Sequence, residues 1–302
     1  MIHRNFKKIL KPRVILSVFF DKIGFIIPDK LYLQIMFRIN TGKMLNLKHP
    51  VTFSEKLQWL KLYNRLPAYT CMVDKIATKT YVIEKLGEEY IIPTLGVWDD
   101  PDNIDFDALP DRFVLKCNHN SGLGMCICRN KSKLDFEKVR SELRRGLKQN
   151  YFLHGREWPY KDVPRRILAE KFMVDESGTE LKDYKFFCFH GEPCLCQVVS
   201  DRWTDEKIDF YDMDWNRLIG LIGLSYDVTN SEMDIPCPYS FSNMKRMAKI
   251  LAKDIPFSRI DFYEINQKPY LGEITFFPAS GFGEFRPKEW NERLGKLIKL
   301  PI

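Results

Sequence analysis

Arg259-Ile260-Asp261-Phe262-Tyr263 and, a short break later, Tyr270-Leu271-Gly272-Glu273-Ile274-Thr275 decide how the whole chain reads. Both stretches alternate polar and apolar residues at the strand period. Asn266-Gln267-Lys268-Pro269 between them is turn chemistry, so the pair reads as a β-hairpin with a short loop centred on Gln267. Folding there sets Asp261 opposite Glu273 and Arg259 opposite Thr275, all four on one side of the ladder. Opposed side chains on a ladder have Cβ atoms about 4.5–5.5 Å apart. Two carboxylates held that close repel unless a cation lies between them, and hard oxygen ligands of this kind suit Mg²⁺ on a nucleotide phosphate. Ile260, Phe262, Ile274 and Phe276 would then face a core. An amphipathic hairpin with its charges in water fits the same pattern, and the hairpin alone does not choose.

At 302 residues and 45% hydrophobic, the chain can hold one large domain or two to three small ones around a proper core. Its 47 Lys and Arg against 40 Asp and Glu leave a net charge of +7. That balance favours nucleotides, acidic sugars or lipid headgroups as partners and falls short of a nucleic-acid signature. The 8 cysteines suit a reduced, cytoplasmic compartment. Cys126-x-Cys128 and Cys194-x-Cys196 have strand spacing rather than the two-residue spacing of zinc knuckles, so buried thiols are favoured over a metal site. No apolar run reaches the roughly 18–20 residues that span a bilayer. The run 14–20 ends at Asp21-Lys22 without a small-residue cleavage site, so no signal peptide is expected. A basic head (Arg4, Lys7, Lys8, Lys11, Arg13) followed by apolar 14–27 leaves two readings open: peripheral contact with the inner face of a membrane, or a helix docked on its own domain.

Residues 1–70 read as helical. Pro28-Asp29-Lys30 is a helix start, and Thr52-Phe53-Ser54-Glu55 is a capped one with Phe53, Leu57 and Leu60 on a single face. A further helix is expected over 74–85 with Ile76, Val82, Ile83 and Leu86 as its apolar stripe, then a short strand at Ile91-Ile92-Pro93. Strands follow at 112–116, 125–128, 167–174, 184–189, 194–200 and 207–212, with helices at 136–149 and 244–251. This order predicts an α+β fold with mainly antiparallel strands, not a doubly wound one. Gly-x-Gly-x-x-Gly and Walker patterns are both missing.

Lys116 ends a strand beside the loop Asn118-His119-Asn120-Ser121-Gly122-Leu123-Gly124. A lysine next to small polar residues can clamp phosphate, the loop's N–H groups and the Ser121 hydroxyl folding over the oxygens; an ordinary hairpin loop fits as well. Glu170-Lys171-Phe172-Met173 closes an apolar strand whose end could read an adenine edge. Asp183 and Lys185 open the next strand on one face. The histidines are scattered without triad spacing.

Together these residues resemble the ATP-grasp superfamily, most closely its teichuronopeptide-biosynthesis (TupA-like) branch. The likeness runs from about residue 52 to 281. It is carried by Thr52-Phe53-Ser54-Glu55-Lys56-Leu57-Gln58-Trp59, Asp74-Lys75 with Lys79, and Phe113-Val114-Leu115-Lys116 through Gly122. Glu170-Lys171-Phe172, Asp183-Tyr184-Lys185 through Gly191, and the two hairpin strands complete it. The resemblance implies an ATP-grasp fold over 71–302, with a lid subdomain at about 112–175 and a metal and catalytic subdomain at 176–302, after the helical region 1–70. It implies ATP and Mg²⁺ as cofactors. Lys75 and Lys116 would touch the phosphates beneath a mobile Ser121-Gly122 loop, and Glu170, Lys171 and Phe172 would form the adenine hinge. Lys185 would be a further phosphate contact, with Asp183 near the ribose. Asp261 and Glu273 would be the metal ligands, and Arg259 would steady the acyl intermediate. The superfamily commonly has Asn two residues after the metal Glu. Here Thr275 stands in that place, and its hydroxyl is a poorer ligand than an amide oxygen.

The implied activity is ATP-dependent joining of a carboxylate to an amine through an acyl phosphate, decorating an acidic cell-surface polysaccharide or its precursor. The substrates would be a small-molecule amine and a carboxylate-bearing glycan. The alternatives are a glycosyltransferase using a nucleotide sugar, for which Asp212-Met213-Asp214 has the right spacing, and a kinase or silent nucleotide binder on the same fold. Arg286 is a candidate clamp for a substrate carboxylate, because its fork matches carboxylate geometry.

Overall fold

The structure, a computed structural model, describes residues 24–175, 181–201, 205–224 and 228–301. The basic head and the apolar run up to residue 23 lie outside the described residues. Helix α1 (Asp29–Thr41) buries Tyr32, Leu33, Met36 and Phe37 and ends at Gly42, whose φ of 76° is the left-handed C-cap that favours glycine. Helix α2 (Phe53–Tyr63) carries a full capping box. Thr52 Oγ1 accepts from the Glu55 N–H at 3.3 Å, and Glu55 Oε2 accepts from the Thr52 N–H at 2.9 Å. The short helix α3 (Ala68–Val73) is additional to the sequence expectation.

Helix α4 (Ala77–Leu86) starts later than the expected residue 74, because Asp74 Oδ1 accepts the Ile76 N–H at 2.8 Å and folds a turn ahead of it. Its expected stripe holds in part: Val82 is fully buried, whereas Ile83 is 40% exposed and Thr78 is the other buried residue. Strand β1 (Thr94–Trp98) begins after Pro93, not at Ile91 as expected; the proline has no N–H to give a ladder, and its carbonyl accepts from Lys171.

Strands β2 (Phe113–Cys117) and β3 (Met125–Cys128) form a hairpin, covered by helix α5 (Phe136–Leu147) and followed by β4 (Ile167–Lys171). The four make an antiparallel sheet in the order β1-β4-β2-β3. Val139 and Leu143 of α5 pack on Phe113, Leu115 and Ile167. Next come β5 (Asp183–Phe189), β6 (Glu192–Ser200), β7 (Lys207–Tyr211), β8 (Ile222–Gly223), helix α6 (Phe241–Leu251), β9 (Phe257–Ile265), β10 (Lys268–Thr275), β11 (Phe285–Arg286) and helix α7 (Glu289–Leu297).

A second antiparallel sheet has the order β10-β9-β5-β6-β7, and β8 pairs with β11 in a small ribbon. Phe53 of α2 sits edge-on to Phe257 and Phe285, with ring centroids 4.9 and 5.6 Å away, fixing the N-terminal helices to this sheet's core. The architecture is α+β with antiparallel sheets, as the element order predicts. None of the helices among the described residues is long and apolar enough to cross a membrane.

Candidate active site

The β9–β10 hairpin aligns Asp261 with Glu273 and Arg259 with Thr275, by a different route from a loop centred on Gln267. Asn266 and Gln267 both have positive φ (50° and 62°), so the turn has two residues and its register would carry Phe262 opposite Leu271. An irregularity between Leu271 and Glu273 then shifts the ladder by one, leaving Gly272 unpaired and bringing Glu273 opposite Asp261. A side chain on Gly272 would press on Tyr263, 3.1 Å from its Cβ. Ile260, Phe262, Ile274 and Phe276 lie in the core beneath.

Lys185 on β5 pairs with Asp261, so Lys185, Asp261 and Glu273 form one row across three strands, with Phe187, Arg259 and Thr275 in the next. Arg259 donates from Nε and Nη2 to both oxygens of Asp261 at 2.7 Å, and from Nη2 to Glu273 Oε1 at 3.0 Å and Thr275 Oγ1 at 3.2 Å. Lys185 Nζ donates to Asp261 Oδ2 at 2.5 Å and lies 3.3 Å from Asp183. Asp261 is 1% exposed while Glu273 is 38% exposed, so the pair is buried on one side and open on the other. Burial pushes the Asp261 carboxyl up from its ordinary value, against the pull of Arg259 and Lys185. Burial acts on Glu273 in the same sense, but Arg259, Lys185, Lys75 and Lys116 outweigh it and hold this carboxyl at about 2. Two adjacent carboxylates and a hydroxyl, already compensated by cations, are hard donors that fit Mg²⁺.

On the other sheet, Glu170 reaches diagonally from β4 to Lys116 on β2 at 2.5 Å and to Lys79 on α4 at 2.7 Å. Burial would raise the Glu170 carboxyl, yet the two lysines outweigh it and hold it below its ordinary value. Lys79 also donates to the Ile92 carbonyl at 2.7 Å and Thr94 Oγ1 at 2.8 Å, which ties α4 to the start of β1. Lys75 Nζ donates to the Asn120 carbonyl at 2.6 Å, and burial lowers its ammonium. Asn118 braces this corner by donating to Asp74 Oδ1 at 2.7 Å and the Pro164 carbonyl at 2.8 Å. Exposed Ser121 and Gly122 form the loop tip, with Gly122 at φ 80° and nothing within 4 Å of where a Cβ would stand.

Two chambers share Lys116, Met125 and Tyr263 as their common wall. One, of about 270 Å³, is an apolar slot walled by Val114, Ile127, Phe172, Met173 and Leu181. Arg112 stacks over the Phe172 ring at 4.3 Å. The other, of about 380 Å³, is polar and gathers Lys75, Lys116, Lys185, Asp183, Asp261 and Glu273 under Ser121 and Gly122. An apolar slot opening into a cation-lined chamber with a carboxylate pair at its floor can take a base at one end and a polyphosphate with a divalent ion at the other.

Not all residues named from sequence converge here. Glu170 turns its carboxylate to lysines, so only the strand-end backbone around Lys171, Phe172 and Met173 is left to meet a base edge, and the Lys171 N–H is already taken by Pro93. Arg286 is exposed on β11 and lines neither chamber. Asp212 of the Asp-x-Asp stretch caps its own turn, accepting from the N–H groups of Asp214 and Asn216 at 2.9 and 2.8 Å. Lys79, the second partner of Glu170, figures in the sequence only among the residues that carry the resemblance, with no role assigned. Tyr263 and Met125, which close the wall between the chambers, carried no separate sequence signal.

The profile of the TupA-like ATP-grasp family matches residues 55–299. No match is found among curated proteins. Solved structures similar to this chain include a D-alanine–D-alanine ligase from Bacillus anthracis complexed with ATP, at 15% identity and TM-score 0.41. That match covers 71% of this chain, which spans 56% of the ligase's length. A Helicobacter pylori D-alanine–D-alanine ligase is 16% identical with TM-score 0.45, covering 82% of this chain and 69% of that one. The ATP-grasp ligase PsnB, solved with minimal precursor, Mg and ADP, is 10% identical with TM-score 0.37, covering 74% and 57%. With the profile spanning most of its length, the chain belongs to the TupA-like ATP-grasp family.

Proposed function

We propose that this chain joins a carboxylate to an amine at the expense of ATP, through an acyl phosphate. The observation that carries the reading is the Asp261–Glu273 pair on the floor of a chamber ringed by Lys75, Lys116 and Lys185. In this reading the adenine lies in the apolar slot against Phe172, and Ser121-Gly122 folds over the phosphates. Lys75, Lys116 and Lys185 balance phosphate charge, and Asp183 stands near the ribose. Asp261 and Glu273 hold Mg²⁺, with Thr275 as the weaker third donor. When bound, the ion supplies charge neutralisation at the phosphate oxygens.

A substrate carboxylate attacks the γ-phosphorus while the lysines spread the charge that builds on the transferred group. The amine then attacks the acyl carbon, the C–O bond to phosphate breaks, and an amide, ADP and phosphate result. Arg259, 3.0 Å from Glu273, stabilises the oxyanion formed on the way. A closed loop keeps water from the acyl phosphate. The family supports the finer reading that the carboxylate belongs to an acidic cell-surface polysaccharide or its precursor, and the amine to an amino acid or peptide. That work would be done in the cytoplasm, with the basic N-terminal stretch touching the inner face of the membrane.

The test is ADP release with a panel of amino acids and uronic-acid sugars, with mass spectrometry for a product lighter by one water. Release that needs both a carboxylate and an amine supports the ligase. Release that needs only an alcohol points to a kinase. Thermal stability offers a second readout: ATP at 100 times its Kd adds about 2.7 kcal/mol, and a nucleotide sugar raising it instead would favour a transferase.

A further inference from the structure

Two segments far apart in the chain, 151–160 and 278–283, close on each other beside the Asp261–Glu273 pair. Ser280 Oγ donates to Glu157 Oε1 at 2.7 Å. Lys61, fully buried, donates from Nζ to the Gly155 carbonyl at 2.5 Å and the Ser280 carbonyl at 2.7 Å, clamping the segments together. Ala279 and Ser280 both hold φ 49°, a strained pair of left-handed residues that directs Ser280 toward Glu157. Tyr151 and Tyr160 stand edge to face, 4.7 Å apart. Both lie within electrostatic reach of Glu157 and Glu273, and Tyr160 also of Arg259. Glu157 is 3% exposed; Ser280 donates to its Oε1, and Lys61 and His154 act on the carboxylate electrostatically. A carboxylate so buried is costly unless something completes its hydrogen bonds.

Resting on the ligase reading above, we propose that Glu157, with Ser280 and the hydroxyls of Tyr151 and Tyr160, forms the subsite that binds the ammonium group of the amine substrate and takes its proton. The ammonium gives one proton to Glu157 Oε2. The freed nitrogen lone pair forms the C–N bond at the acyl carbon, the C–O bond to phosphate breaks, and the nitrogen's next proton leaves with the phosphate. Burial and the field of Glu273 raise the Glu157 carboxyl, against Lys61, Ser280 and His154, which makes it a better proton acceptor.

The test compares nucleophiles in wild type and Glu157→Gln, with each carboxylate of the panel and ATP. Methylamine and glycinamide arrive as ammonium ions, whereas hydroxylamine is uncharged at neutral pH and needs no base. We expect Glu157→Gln to lower amine-dependent ADP release by about 100-fold more than hydroxamate formation. The same variant should raise the apparent KM for the amine, and Glu157→Asp should restore part of the loss. Equal falls with both nucleophiles, at unchanged ATP-induced thermal shift, would make Glu157 a brace for the fold and overturn the subsite. So would no fall at all. Wild type that releases ADP with neither nucleophile removes the ligase reading itself, and the subsite with it.

Discussion

In the four-stranded sheet a single carboxylate, Glu170, holds two lysines, Lys79 and Lys116. In the five-stranded sheet Asp183, Asp261 and Glu273 meet Lys185 and Arg259 among the described residues. Both clusters are largely buried and use the same chemistry, but the first gathers lysines on one carboxylate and the second gathers carboxylates on a lysine and an arginine. Lys116 of the first and Asp183, Lys185, Asp261 and Glu273 of the second line one chamber, to which Lys75 adds a further cation. A ligand that satisfies both sides must bring anionic groups and a divalent cation together, which is the description of a magnesium nucleotide.

Removing charge from either side should therefore have unlike consequences. The largest effect is expected on the carboxylate side: Glu273→Gln should reduce acceptor-dependent turnover by about 1000-fold, the scale of losing one charge-stabilising group. Its binding of ATP without Mg²⁺ should hardly change. On the lysine side, Lys116→Ala should weaken ATP binding by about 10- to 100-fold whether or not Mg²⁺ is present, since charge-assisted hydrogen bonds are worth about 1.5–3 kcal/mol. Calorimetric titration of both variants with and without the ion separates the two sides. If both lost affinity only with Mg²⁺ present, the contrast between the sheets would vanish.

Glu170→Gln should cost the protein itself about 2 kcal/mol, because two lysines lose their counter-ion. The folded value of this carboxyl is depressed, so its contribution is present above the ordinary carboxylate range and is lost as pH falls toward the folded value. Urea unfolding at pH 7 and at pH 4 should accordingly show the gap between wild type and variant shrinking in acid. A gap that widened would mean Glu170 is not held ionised by Lys79 and Lys116. The smallest effect is expected at the bulge: Gly272→Ala meets Tyr263 at 3.1 Å and should cost about 1 kcal/mol. It should also blunt nucleotide affinity slightly, because Tyr263 walls both chambers.

The strand alternation of 259–263 and 270–275 was enough to bring Asp261 to Glu273, since period-two patterning admits one inward and one outward register. The path was not legible: a tight Asn266-Gln267 turn and a compensating bulge at Gly272 end at the same pairing as a longer loop. The capping box at Thr52 and Glu55 was equally plain, being a local hydrogen-bond exchange written in four residues. The strand placed at Ile91-Ile92-Pro93 failed because hydrophobicity there serves packing while Pro93 has no N–H for a ladder. Ile83 failed as a core residue because tertiary contacts, not helical spacing, chose Thr78 and Val82. The helices α3 and α7 and the β8–β11 ribbon escaped for want of length: two to nine residues carry too little periodicity to read. The ion pairs of Glu170 and the clamp of Lys61 on Ser280, 219 positions away, are products of tertiary folding with no local signature.

The Asp261–Glu273 pair is the proposed holder of a divalent ion against a nucleotide. The most direct measurement is a crystal structure with a non-hydrolysable ATP analogue and Mn²⁺, read by anomalous scattering. The expected result is a manganese peak between the two carboxylates, touching the analogue's phosphates, with Lys75 and Lys116 on the same phosphates. A nucleotide seated elsewhere, or a peak away from the pair while Arg259 keeps both oxygens of Asp261, would contradict it.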